Sequence, residues 1–253
     1  MYKEAAIIVF LKLQLKAIIF DMDGVLVDTM PFHYEAMKIA IKELTDIDLD
    51  KRTFYLLEGM PVAQMALEIF KLKGYFTNEV TRVQRLARQI ANRKKELVLE
   101  TRIIPKPFNG VRELIMNELD NNNNSDCLKA VVSGSSKQEL DLIINTYFGS
   151  HSFDVIINGD DFEGKGKPDP APFYAAVRKL NEVMPFTDVI IVENAPLGVK
   201  AANSAKINCI VALNTSLLTI PDFNCLINKD RIFKNTVSAG KFLKHWIVEV
   251  TKI

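Results

Sequence analysis

Residues 16–29, KAIIFDMDGVLVDT, decide the fold. The apolar run 17–20 ends at two carboxylates, Asp21 and Asp23, separated by one residue. Gly24 follows, and then the apolar step 25–27. This pattern predicts a buried strand that delivers acids to a turn. Residues two apart on an extended chain project to the same side, so both carboxylates face one cavity. Gly24 lets the backbone turn away without a Cβ clash. Two acids at one mouth mark a reactive site. A merely solvated acidic turn would not need a wholly apolar run before it.

The rest of the chain sets bounds around that stretch. At 253 residues, 48% hydrophobic and 25% charged, it has the composition of a globular protein able to bury a full core. With 32 basic and 31 acidic residues the formal charge is +1, so no global field draws nucleic acid or an anionic membrane. Neither is expected as a partner, and an anionic ligand must be held by local groups. Cys127, Cys209 and Cys225 are widely spaced and form no CxxC pair, which predicts neither a disulfide framework nor a zinc site. A cytoplasmic location follows as the expectation. Residues 5–20 are apolar enough to suggest a signal segment, but Lys12 and Lys16 interrupt them and the carboxylate turn comes next. A preceding strand or an ordered extension is the expected reading.

After residue 29 the periodicity changes. Pro31 suits a first helical turn, and Ala36, Ile39, Ala40 and Leu44 recur at helical spacing. Further helices are expected over 62–72 and 78–100, so 30–105 reads as an all-helical insertion, closed by Pro105, Pro107 and Gly110. From there strand and helix alternate. The expected helices are 111–119, 137–146, 170–181 and 196–205, and the expected strands 128–133, 154–157, 188–192 and 209–213. The tract 120–126 reads as an exposed loop, 225–227 as an edge strand and 239–250 as a closing helix. Repeated βα units predict a Rossmann-like, doubly wound parallel sheet. The expected fold is α/β, with a core of 1–29 and 106–253 and a helical cap domain of 30–105.

Ligands of such sheets sit beyond the carboxyl ends of the strands, so the strand ends should carry the chemistry. The strand at 128–132 runs into Ser133, Gly134, Ser135 and Ser136, hydroxyls and backbone N–H groups that either hold an anion or cap the next helix. After the strand at 154–157 comes GKGKPDP, residues 164–170, in which Pro168 disfavours helix at Lys167 and is expected to hold it extended. An ammonium roughly 4 Å from a phosphoryl oxygen gains on the order of 4 kcal/mol at an effective dielectric near 20. The strand at 188–192 ends in Glu193 and Asn194, oxygen donors for a hard cation or a helix cap.

Together the strings DMDGVLVDT, SGSS, GKPDP and IIVENAPLGVKAA resemble the four motifs of the haloacid dehalogenase superfamily, over nearly the whole chain. The insertion resembles the helical cap of the branch holding phosphoglycolate phosphatases, sugar-phosphate phosphatases and β-phosphoglucomutases. The resemblance implies Asp21 as nucleophile forming an aspartyl-phosphate, and Asp23 as acid and base. Ser133 would bind the transferring phosphoryl group, and Lys167 would balance its charge. The implied cofactor is Mg²⁺, held by the Asp21 side chain, the Asp23 carbonyl, Glu193 and Asn194. Asn194 stands where a second acid is usual, which lowers the negative charge offered to the cation.

The implied substrate is a small phosphorylated metabolite, met by Gly24, His33, Glu58, Gly59, Ser133, Gly134, Ser135 and Lys167. The second aspartate, Asp23, sets the chain apart from the dehalogenases and phosphonate hydrolases. Thr29 and His33 match positions used by the mutase. The mutase cap, however, carries Lys before and Arg three residues after a loop glycine, where this chain has Glu58 and Val62 around Gly59. Phosphatase is the reading, with a phosphosugar mutase and a non-catalytic binding protein as alternatives. A monomer or weak dimer is the expected assembly.

Overall fold

The structure, a computed structural model, describes residues 15–75, 80–119, 127–162 and 165–248. The expectations for 1–14, the loop 120–126, the first turn of the helix begun at 78 and the end of the helix carried to 250 fall wholly or partly outside these residues. Among these residues six strands form one parallel sheet: β1 (Lys16–Asp21), β2 (Cys127–Val132), β3 (Val155–Ile157), β4 (Asp188–Glu193), β5 (Asn208–Ala212) and β6 (Ile232–Phe233). Their order is β3-β2-β1-β4-β5-β6. Strand β1 is central because its KAIIFD sequence is buried throughout. Ala17 and Ile19 join the core on one side of the sheet, Ile18 and Phe20 the core on the other. Ile18, Ile19 and Phe20 each contribute about 1.5–3 kcal/mol when fully buried.

Helices α1 (Met30–Leu44), α2 (Lys51–Leu56), α3 (Val62–Leu72) and α4 (Val80–Glu100) lie between β1 and β2 in the chain. They make the helical insertion that the periodicity predicts. Helix α2 is an addition to it. Asp50 caps this helix by accepting from the Thr53 N–H at 2.8 Å, a short signal inside a stretch without clear periodicity. The core then continues with α5 (Val111–Glu113), α6 (Lys137–Tyr147), α7 (Ala171–Val183), α8 (Pro196–Ala205) and α9 (Thr236–Val248).

Two details differ from the sequence expectations. The helix expected over 111–119 leaves α geometry after one turn and continues as a π-helix, Leu114–Glu118. The edge strand expected at 225–227 is a turn instead. The Leu226 and Ile227 N–H groups both donate to the Phe223 carbonyl, and Cys225 takes a positive φ of 63°. The true edge is β6, which pairs with Val211 and Ala212 of β5. Among the described residues no helix is long and apolar enough to cross a membrane.

Candidate active site

The chain leaves β1 for β2 on one side and later returns to β4 on the other, so the sheet reverses direction of winding next to β1. The crevice at such a reversal lies beyond the carboxyl ends of the strands. Asp21 ends β1, Ser133 follows β2, Glu193 ends β4 and Asn194 follows it. Parallel pairing of Asp21 with Val132, and of Phe20 with Val192, brings these ends to one level. Lys167 reaches the same point from the connection after β3. It stands in a turn closed by the Asp169 N–H donating to the Gly166 carbonyl at 3.1 Å, rather than in the extended segment expected.

The Lys167 ammonium donates to Asp21 Oδ1 and is ion-paired with Glu193 Oε1. Burial pulls the lysine down, but Asp21 and Glu193 outweigh it and hold the ammonium above the usual lysine value. Burial pushes the Asp21 carboxyl up, Lys167 pulls it back, and Glu193 and Asp23 push it up again. It ends well above the usual carboxylate range. One cation cannot neutralise that many buried acids. Among the described residues three buried side-chain oxygens have no hydrogen-bond partner: Asp21 Oδ2, Glu193 Oε1 and Asn194 Oδ1. The glutamate oxygen has the lysine beside it as an ion-pair partner, while its Oε2 accepts from the Asn194 and Ala195 N–H groups at 3.1 and 3.4 Å. Asp21 Oδ2 and Asn194 Oδ1 are therefore the orphaned donors that a hard, oxygen-seeking cation would satisfy. No cluster of three His, Cys, Asp or Glu side chains arranged to hold a metal occurs among the described residues. A cation here would draw on carboxylate, amide and carbonyl oxygens.

Asp23 sits in a different environment. Its Oδ1 accepts from the Thr29 hydroxyl at 2.5 Å and lies 3.5 Å from His33 Nε2, and its Oδ2 accepts from the Ser133 hydroxyl at 2.6 Å. Burial alone would raise this carboxyl. The hydrogen bonds and charge of His33, with Ser133 and Thr29, overcome burial and hold it well below the usual range. His33 is itself held from behind, where Lys94 Nζ on α4 lies 3.0 Å from its Nδ1.

A cavity of about 420 Å³ opens over these groups, lined by Asp21, Asp23, His33, Glu58, Gly59, Ser133, Gly134, Ser135 and Lys167. The structure thus brings together most of the residues picked from the sequence. Gly24, Glu193 and Asn194 do not line this cavity: the latter two are fully buried, and Gly24 packs on Asn194, whose Nδ2 would stand 2.1 Å from any Cβ there. The hydroxyl run divides its work. Ser133 turns into the site, whereas Ser136 caps α6 in a reciprocal arrangement with Glu139. Glu58 is buried and accepts from Asn194 Nδ2 at 2.9 and 3.0 Å, so its carboxylate is already engaged. Burial and the nearby Asp21 push it well above the usual range, against the pull of the Asn194 hydrogen bond.

Lys94 is the residue that sequence reasoning missed. It is one cation among many on α4, and only its phase singles it out: Ala87, Ile90 and Lys94 share a helix face, and the first two are buried.

The chain matches the haloacid dehalogenase-like hydrolase family over residues 18–212. A phosphorylated carbohydrates phosphatase of Thermotoga maritima is 32% identical over 209 residues, covering 80% of this chain and 87% of that protein. A β-phosphoglucomutase of Bacillus subtilis is 29% identical over 192 residues, 76% and 80% of the two chains. Among solved structures, a hydrolase from Pseudomonas syringae superposes with a TM-score of 0.72 at 20% identity, over 91% of this chain and 98% of the other. That likeness speaks for the fold alone.

Proposed function

From the premise that the chain belongs to the haloacid dehalogenase-like hydrolase family, we propose that it is a phosphatase of small phosphorylated carbohydrates and related metabolites, working through an aspartyl-phosphate on Asp21. The carrying observation is Asp21 itself, with one oxygen on Lys167 and the other buried, unpartnered and open to a cation. The names of the relatives support the substrate class.

In this reading Asp21 attacks phosphorus through a carboxylate oxygen, dividing a very slow displacement into two steps. Lys167 balances the charge that accumulates on nucleophile and phosphoryl oxygens. Ser133 holds the phosphoryl group. Asp23 is kept ionised by Thr29, Ser133 and His33, the form needed to take a proton from water in the second step. For the first step it must carry a proton to the leaving oxygen, and an arriving phosphate dianion raises its affinity for that proton. The oxygen donors Asp21 Oδ2, Asn194 Oδ1 and the Asp23 carbonyl fit Mg²⁺, which would supply Lewis-acid stabilisation of the phosphoryl oxygens and favour ionised Asp21. The core of 1–29 and 106–253 and the cap of 30–105 act as two bodies: the cap admits substrate, closes to exclude water and reopens to release phosphate.

One observation supports a mutase as second reading: Lys94 and Lys95 line the same cavity and offer cations to a second phosphate. The test is phosphate release from p-nitrophenyl phosphate with and without Mg²⁺, followed by sugar phosphates, glycerol phosphate and phosphoglycolate, and by isomerisation of β-glucose 1-phosphate. Turnover that requires Mg²⁺ and falls at least about 10⁴-fold in Asp21→Asn is expected. Isomerisation without phosphate release would select the mutase. Absence of both would leave a binding protein.

A further inference from the structure

The amide of Asn194 can be aimed in two ways, and its surroundings choose one. A carboxylate only accepts hydrogen bonds, so an amide facing it must present its NH₂ end. Asn194 Nδ2 does so, donating to both oxygens of Glu58 at 2.9 and 3.0 Å, and this leaves Oδ1 buried and without a partner. Glu58 comes from the loop between α2 and α3, Asn194 from the end of β4, 136 residues away. The approach is close because Gly24 lies under both: a Cβ there would stand 2.1 Å from Asn194 Nδ2 and 3.2 Å from Glu58 Oε1. The same loop rests on the catalytic lysine. A Cβ on Gly59 would stand 2.6 Å from Lys167 Cδ, and one on Gly166 2.8 Å from Pro61.

We propose that Glu58 is a positioning residue rather than a substrate-binding one: it clasps the cap loop to Asn194 and, by taking the NH₂ end, turns the Asn194 carbonyl oxygen toward the cation. An acid at 194 would place two carboxylates about 3 Å apart at this contact, so Asn194 and Glu58 form a matched pair. The carboxyl group that position 194 lacks stands one hydrogen bond further out, on Glu58.

Reciprocal substitution tests this. The variants are Glu58→Ala, Asn194→Asp and the swap Glu58→Gln with Asn194→Asp, which exchanges amide and carboxylate across the same contact. Two readouts need no turnover: exchange of the backbone amides at 58 and 60 in the metal-free protein, and the affinity for Mg²⁺ alone by calorimetry. Both amides are hydrogen-bonded, to the Tyr55 and Leu57 carbonyls, so their exchange reports on the loop. Glu58→Ala should speed that exchange and weaken Mg²⁺ binding, each by at least about fivefold. Asn194→Asp should speed exchange without weakening Mg²⁺ binding, and the swap should restore exchange to within about twofold of the parent.

The slow exchange of β1 amides, unchanged in all variants, serves as the folding control. Unaltered loop exchange and Mg²⁺ affinity in Glu58→Ala would overturn the proposal, as would a swap no better than Asn194→Asp. So would a Glu58→Ala defect confined to KM for polyol phosphates, which would return Glu58 to substrate reading. The inference takes from the proposed function only that a cation binds at Asp21 and Asn194. Loop exchange is read without metal or substrate, so it separates a failed clasp from a failed phosphatase.

Discussion

The floor and the roof of the cavity are built by different means. The floor is a set of strand ends: Asp21, Ser133, Glu193 and Asn194 are levelled by continuous parallel ladders through β2, β1 and β4. The roof is the α2–α3 loop and one face of α4. It meets the floor through a few side-chain contacts, Glu58 on Asn194, Gly59 against Lys167 and Lys94 behind His33. Backbone register cannot shift one floor residue without moving its whole strand. The contacts of the roof with these floor residues are made by single side chains and are not fixed by a ladder. One site thus combines a rigid reacting centre with a cover whose seating depends on single residues.

Damage to the floor should register first as lost stability. Lys167→Met leaves Asp21 and Glu193 buried without their cation, and removing one partner of a buried ion pair costs about 3–5 kcal/mol. Denaturant unfolding of the metal-free protein measures it. A loss under about 1 kcal/mol would mean that the floor relaxes as readily as the roof.

Damage to the roof should register as activity instead. Gly59 has φ 87°, and its Cβ would strike Lys167 Cδ at 2.6 Å, so Gly59→Ala pushes the loop off the lysine. A displacement of about 1 Å near reacting groups can cost about 100-fold. We expect kcat/KM to fall by about that factor, nearly 3 kcal/mol, with a smaller loss of stability, about 1 kcal/mol, from the positive φ that alanine strains. Equal losses in both would erase the distinction between floor and roof.

The smallest expected effect lies where α2 leads into the clasping loop. The Asp50 carboxyl is held at about 2 by the Thr53 N–H, with burial opposing and the Thr53 hydroxyl and Lys73 assisting. A depressed carboxyl adds stability that is complete above its unfolded value, near 3.8, and is lost as pH falls through about 2. The group is largely exposed, so most of the worth is the helix cap, about 1 kcal/mol. Asp50→Ala should therefore lower stability by about 1 kcal/mol at pH 7 and by nearly nothing close to pH 2, in unfolding titrations run across that range. A deficit independent of pH would assign the effect to helix propensity.

How much of this was legible in the chain follows the same division. DMDGVLVDT announces a buried strand and its acids because apolar run, alternation and glycine turn are all local. Ser133, Lys167 and Glu193 are legible for the same reason, each standing where a local βα pattern ends. The edge strand misread at 225–227 marks the limit: three residues with apolar members look alike in a strand or a turn, and only the Phe223 carbonyl decides.

The sequence by itself therefore determined the layered α/β core, the helical insertion and the acids at the head of β1, since each is written within a few residues of itself. Tertiary structure alone decided the rest. It split Asp21 from Asp23, two residues apart, into a carboxyl raised by burial and one lowered by His33, Ser133 and Thr29. It brought Lys94 to His33 across 61 positions and Glu58 to Asn194 across 136. Such pairs depend on chain closure and on low-dielectric surroundings that no local period encodes.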